Sequence, residues 1–319
     1  MGNLPAARVT PARAFFTCGV DYAGPFMLKE RGRARTTYKS YLCIFVCFAT
    51  KAVHIELATD LDTDAFLNCL YRFMSRRGRS HCIYSDNGTN FVGARTELNQ
   101  LGALFINKEH NYRIQRALAQ EQIQWHLIPP YSPHFGGLWE SAVKSAKQRV
   151  IGEQHLTCEE LYTFWTQVEA CLNSRPLYPL SCDPNDLTPL TPGHFLIGDA
   201  LTAPPQADLL HLNQNRLNHY QLIQYKAEHF WKRWHREYLY ELQQRHKWQL
   251  DSPGNVKADA LVIIREDNTP PLKWRLGRIA DLHPDSDNTS RVVSIKVVDG
   301  IIKRPVSRVC VLPIEEVQT

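Results

Sequence analysis

The chain has 319 residues, 44% of them apolar and 22% charged, with a formal net charge of +5. That length accommodates a catalytic-size domain with its own core plus a smaller module, and the absence of any run of about 18 apolar residues excludes a membrane-spanning helix. The mildly basic pI near 8.7 is compatible with a polyanionic partner without requiring one, and the nine cysteines form no CxxC pair and no Cys/His zinc spacing, so they read as buried apolar residues in a reducing compartment.

Met1 to Ala12 reads as a linker, with scattered arginines and no apolar stretch of signal-peptide length. Residues 14–26, AFFTCGVDYAGPF, read as a buried strand closed by the turn signal Gly24-Pro25. A polar hairpin carrying Arg31, Arg33, Arg35 and Lys39 leads into YLCIFVCFATKAVHIELA, two further strands divided near Thr50-Lys51. Ala65, Phe66, Cys69, Leu70 and Phe73 recur at helical spacing, with Asp62 or Thr63 as cap. HCIYSDNGTNF is a short strand running into a polar turn, and residues 92–104 resume a helical pattern. QIQWHLIPP reads as a fifth strand and YSPHFGG as a flexible loop, followed by the amphipathic helix LWESAVKSAKQRVI and a second helix over 159–173. Residues 176–205 are proline-rich and read as an irregular connector. The stretch 217–248 is helical, its aromatic residues reading as packed on a core. After a composition break at 251–254, four or five short alternating runs have the signature of a small β-barrel. The expected division is a linker at 1–12, a core at 13–200, a connector with the long helix at 201–252, and a barrel at 253–319.

Three acids stand out. A carboxylate inside an apolar strand is costly unless it is paired or bound to metal, which singles out Asp21. Asp86, taken alone, is a turn former at a strand end, and Glu140, taken alone, is a helix-start residue suited to the helix dipole. Together, acids from a central strand, the end of another strand and a neighbouring helix can converge and hold two divalent cations. Mg²⁺ suits such hard oxygen ligands, and two ions about 3.5–4 Å apart activate the attacking oxygen and stabilise the leaving one in an in-line phosphoryl displacement.

The phrases VDYAGPF, YSDNGTNFVGA and PPYSPHFGGLWESAVKSAK, in this order, resemble the three acid-bearing motifs of retroviral and retrotransposon integrases. GGLWE, LNSRPL, LTPGHFLIG, FWKRWHREYLYELQQRHKW and the small barrel are similar to the integrases of BEL/Pao long-terminal-repeat elements in particular. The resemblance spans about Phe15 to Pro313. It implies an α/β chain with a ribonuclease-H-like mixed five-stranded sheet flanked by helices, then a long helix and a small SH3-like β-barrel. It further implies Asp21, Asp86 and Glu140 as catalytic residues and metal ligands for two Mg²⁺ or Mn²⁺ ions. Two departures accompany it: Asp86 and Glu140 are 54 positions apart, longer than in retroviral integrases, and no His/Cys module of the integrase N-terminal kind precedes Asp21.

Lys144 and Lys147 share a helical face with Glu140; an ion pair on a solvated face is the plain reading, and the resemblance makes them contacts to the element's DNA ends. Asn87 and Asn90 are turn residues that the resemblance puts beside the active site. In the barrel, Lys273, Arg275, Arg278, Lys303, Arg304 and Arg308 with Trp274 suit backbone contacts to DNA, offset by Asp281, Asp285 and Asp287. His126 and His134 read as structural and are assigned no metal. The expected function is joining of element DNA ends to target DNA, by a homo-multimer acting in the nucleus after synthesis in the cytoplasm, with no membrane partner. The alternatives are a catalytically silent DNA-binding or assembly protein and a ribonuclease-H-type nuclease, which a fourth acid in the site and hybrid cleavage would mark.

Overall fold

A computed structural model describes residues 6–30, 36–85, 123–127, 156–181, 183–204, 208–249, 257–267, 269–284 and 290–313. The chain divides into two compact units, Met1–Leu172 and Asn173–Thr319. Residues 173–200, expected to complete the core, thus cluster with the second unit.

In the first unit the strands are β1 (Thr17–Lys29), β2 (Thr37–Cys47), β3 (Val53–Ala58), β4 (Cys82–Ser85) and β5 (Gln124–Leu127), in spatial order β3-β2-β1-β4-β5. β2 runs antiparallel to both β1 and β3, while β1, β4 and β5 run parallel to one another. A five-stranded mixed sheet in this order, with only its second strand reversed, has the ribonuclease-H-like topology. β1 continues past the expected turn at Gly24-Pro25, because a register shift between Ala23 and Phe26 lets the strand pair with β2 as far as Lys29. A bulge is where a strand tolerates proline, which has no N–H for the ladder. The segment expected as linker contains one helical turn at Ala6–Val9.

Helix α1 (Thr63–Arg77) starts where Asp62 accepts a hydrogen bond from the Ala65 amide at 2.7 Å, one of the two caps the sequence offered. It buries Phe66, Leu67, Cys69, Leu70 and Phe73, and Phe73 stacks on Phe45 of β2 at 4.1 Å. Helix α2 (Cys158–Asn173) opens with a reciprocal box: the Thr157 amide donates to Glu160 Oε2 at 2.8 Å and the Glu160 amide to Thr157 Oγ1 at 3.3 Å.

The second unit holds an antiparallel sheet of β8 (Leu261–Ile264), β9 (Leu276–Pro284), β10 (Ser290–Val297), β11 (Gly300–Pro305) and β12 (Val309–Val311), in order β11-β10-β9-β8-β12. A 3-10 turn at Val306–Arg308 divides the last run into β11 and β12. Five short antiparallel strands with that turn before the last match the expected SH3-like barrel. β8 is buried along its whole length because both faces are covered. Val262 and Ile264 pack with Ile279, Val293 and Ile295, whereas Leu261 and Ile263 pack with Cys310, Leu312 and Leu239 of the long helix. This accounts for a continuous apolar run where a half-exposed strand would alternate.

The proline-rich connector carries more structure than its composition suggested. A two-residue ladder joins β6 (Tyr178–Pro179) to β7 (Pro189–Leu190), and a short helix, α3, covers His194–Ile197. Helix α4 (His219–Gln249) runs 31 residues. Its Trp231, Trp234, His235 and Tyr238 surround Trp274, with centroids 4.8 to 5.9 Å away. Two of the polar tips are satisfied, Trp231 Nε1 donating to the Thr269 carbonyl at 2.8 Å and Tyr238 Oη to the Pro176 carbonyl at 2.6 Å, whereas His235 Nε2 is buried without a hydrogen-bond partner among the described residues. Burial, reinforced by nearby Arg236, pushes the His235 imidazole down to about 4.

Candidate functional site

Asp21 sits on β1, the central strand, opposite Ile44 of β2. It is half-buried, and its Oδ1 accepts a hydrogen bond from the Tyr22 amide at 2.7 Å. On the other flank the parallel register pairs Val20, the residue before Asp21, with Ser85, the last residue of β4. Asp86, the next residue in the sequence, lies outside the described residues, as do Glu140, Asn87, Asn90, Lys144, Lys147 and His134. The carboxylate of Asp21 is a hard oxygen donor of the kind Mg²⁺ takes. Among the described residues no three His, Cys, Asp or Glu side chains gather at metal-holding distance.

Side chains alternate along a strand, so Gly19 and Asp21 share a face. Register places Tyr84 of β4 beside Gly19 and His126 of β5 beside Tyr84. The Tyr84 ring stacks on Phe48 at 5.0 Å and on His126 at 5.0 Å. Reading His126 alone gave a structural histidine, since its ring partners lie far off in sequence.

A second cluster escaped sequence reading altogether. His54 and Glu56, within an apparently apolar strand, are fully buried. Glu56 accepts from His54 Nε2 at 2.8 Å, from Arg72 Nε at 2.8 Å and from Arg76 Nη2 at 2.7 Å. Glu169 of α2 accepts from the Ile55 amide at 2.8 Å and pairs with Arg77. Burial raises the Glu56 and Glu169 carboxyls, but hydrogen bonds from His54, from Arg72 to Glu56 and from the Ile55 amide to Glu169 hold both below the ordinary range. Burial also works against a charged His54, yet its hydrogen bonds to Glu169 and Glu56 prevail and raise its pKa. Arg77 Nε lies 3.2 Å and Glu169 Oε2 3.4 Å from His54 Nδ1; the proton on that nitrogen decides which it faces. The cluster ties α1 and α2 to β3.

The barrel cations differ in their surroundings. Lys273 and Lys303 are exposed. Arg275 Nη1 pairs with Asp299 at 2.8 Å, Arg304 Nη2 lies 3.8 Å from Glu266, and Arg308 pairs with Asp267 at 3.5 Å. Neighbours on a strand face opposite sides, so Lys303 and Arg304 do not form one patch. Arg278 is only 6% exposed and donates to the carbonyls of Ser181 at 2.7 Å, Asp259 at 2.9 Å and Asp186 at 3.0 Å. Its guanidinium thus fastens the connector to the barrel from within the unit.

Residues 218–312 match a family model described as a family of unknown function, DUF5641. Comparison of the sequence with curated proteins finds no match. Among solved structures, a chain of the simian T-cell lymphotropic virus intasome in complex with PP2A regulatory subunit B56 gamma is 11% identical, with a TM-score of 0.38, covering 95% of this chain and 81% of that one. The HTLV-2 integrase catalytic core domain in complex with magnesium is 15% identical, with a TM-score of 0.31, covering 50% of this chain and 88% of that one. Both scores are low, and the fold assignment rests on the strand order and register.

Proposed function

We propose that the chain is the catalytic and C-terminal part of a retrotransposon integrase of BEL/Pao type, which processes element DNA ends and joins them to target DNA. The observation that carries this reading is the parallel β1–β4 register, which sets Ser85 beside the residue preceding Asp21. Asp86 is the next residue in the sequence after Ser85, so the second motif acid directly follows the strand that pairs with the one carrying Asp21. Asp21, Asp86 and Glu140 would hold two Mg²⁺ or Mn²⁺ ions. Bound there, the ions supply Lewis-acid stabilisation of both the entering and the leaving oxygen.

The protein's own part is positioning. Asp21 is fixed by a central strand and by its bond to the Tyr22 amide, so its carboxylate needs little reorganisation when the phosphodiester arrives. Lys144, Lys147 and Asn87 would contact the element end, and the exposed Lys273 and Lys303 would neutralise backbone phosphates. A homo-multimer holding two DNA ends in the nucleus completes the proposal.

The test is strand transfer of a labelled DNA-end oligonucleotide into plasmid with Mg²⁺ or Mn²⁺, comparing the chain with Asp86→Asn. Joined product that disappears in the variant supports the enzyme. Joined product of equal yield from both proteins would sink the assignment.

A further inference from the structure

The ring row on the Asp21 face has a geometry that the catalytic reading leaves unused. Phe48, Tyr84 and His126 stack in series, with successive planes inclined by 22° and 23°. The 5.0 Å step from Tyr84 to His126 matches the strand spacing of about 4.8 Å between their paired strands, and Phe48, which follows β2 and whose amide bonds the Thr17 carbonyl, reaches over β1 to Tyr84, whose β1 partner Gly19 has no side chain to interpose. Burial falls along the series: Phe48 is 6% exposed, Tyr84 is half-buried and His126 is exposed. Among the described strands β5 lies at the edge of its sheet. The stack therefore ends in a solvent-facing imidazole, held in orientation by two rings behind it. Two strand residues, roughly 6.6 Å, separate this row from that of Asp21.

We propose that His126, backed by Tyr84 and Phe48, is a stacking platform for an unpaired base of the DNA strand whose phosphodiester lies at Asp21. This rests on the proposed integrase activity and adds a nucleotide subsite to it. A planar ring continues the series, and stacking on an aromatic face accepts any base, since each has a π-face. His126 lies two strands across and two residues along from Asp21, roughly 12 Å at ordinary strand spacing and rise, so the stacked base belongs to a nucleotide a few positions from that phosphodiester. A frayed end supplies such a base; a paired duplex does not.

The test uses single-stranded oligonucleotides carrying 2-aminopurine at successive positions, with the full chain and the variants His126→Leu and His126→Trp. Wild type should quench 2-aminopurine at one position. His126→Leu should abolish the quenching and weaken single-strand binding by on the order of ten-fold, while His126→Trp should retain both. Because His126 is exposed, His126→Leu should melt like wild type. Equal quenching and affinity in wild type and His126→Leu, or no quenching by wild type at any position, overturns the platform. Quenching lost in His126→Leu by a chain that joins no DNA would leave the platform standing and sink the enzyme; joining with no change at His126→Leu would do the reverse.

Discussion

Replacing Arg278 with Met keeps the aliphatic stem and removes the guanidinium that binds three backbone carbonyls. A hydrogen bond from a charged group contributes about 1.5–3 kcal/mol, but the exchange also relieves the cost of burying the charge, which offsets part of the loss. The three carbonyls lose their donor, at about 1–3 kcal/mol for each one left unsatisfied, so the net destabilisation is about 3–5 kcal/mol. In a unit of this size about 1 kcal/mol moves the midpoint by roughly 2–4 °C, so the thermal transition should fall by some 6–20 °C. Tryptophan fluorescence follows it, because Trp231, Trp234 and Trp274 pack together in the same unit. Arg278→Lys should fall between the two, since one ammonium on a flexible stem does not reproduce a rigid fork. The salt dependence of DNA binding should not change. An unchanged melt together with a salt slope reduced by about one would show that Arg278 faces phosphate, and would refute the structural role.

Gly277→Ala should cost about 1–3 kcal/mol by overpacking, because an added Cβ would run into the Ile295 side chain and come 2.8 Å from the Lys296 carbonyl; a wild-type urea midpoint would contradict the packing described. Lys303→Ala, by contrast, should leave the melt alone and lower the slope of log K against log salt by about one, and an unchanged slope would remove it from the DNA contacts. The buried cluster makes the stability of the first unit pH-dependent in a defined sense. Glu56 and Glu169, lowered on folding, contribute above their ordinary value of 4.5 and lose that contribution as pH falls through their folded values. His54, raised on folding, contributes below its ordinary 6.5 and loses that as pH rises through its folded value. Both are present between those two values; the urea midpoint should fall between pH 5.5 and successively higher pH above 6.5 in wild type and lose that difference in His54→Gln, and a midpoint independent of pH in wild type would refute the assignment.

The strands and helices were legible where local pattern and burial agree. α1 follows helical apolar spacing, β2, β3 and the barrel strands are short runs rich in apolar residues, and Asp62 is a helix cap the sequence offered. The end of β1 was not legible, because Gly24-Pro25 is a turn signal in sequence and becomes a strand irregularity once β2 pairs beyond it. Nor was the Glu56 cluster: its partners Arg72, Arg76 and Glu169 come from two helices, and a single strand does not announce them. Arg278 shows the opposite limit, a basic residue in a basic run whose charge is turned inward. For the site, the sequence singled out Asp21 through its apolar surroundings, while its adjacency to the end of β4 needed the parallel register.

The claim that Asp21 is a metal ligand of a DNA-joining site is tested most directly by Asp21→Cys in the strand-transfer assay with Mg²⁺ and with Mn²⁺. A thiolate is a poor ligand for hard Mg²⁺ and a better one for the softer Mn²⁺. No joined product is expected with Mg²⁺ and recovered product with Mn²⁺; joining by Asp21→Cys in Mg²⁺ at the wild-type rate would show that Asp21 holds no metal.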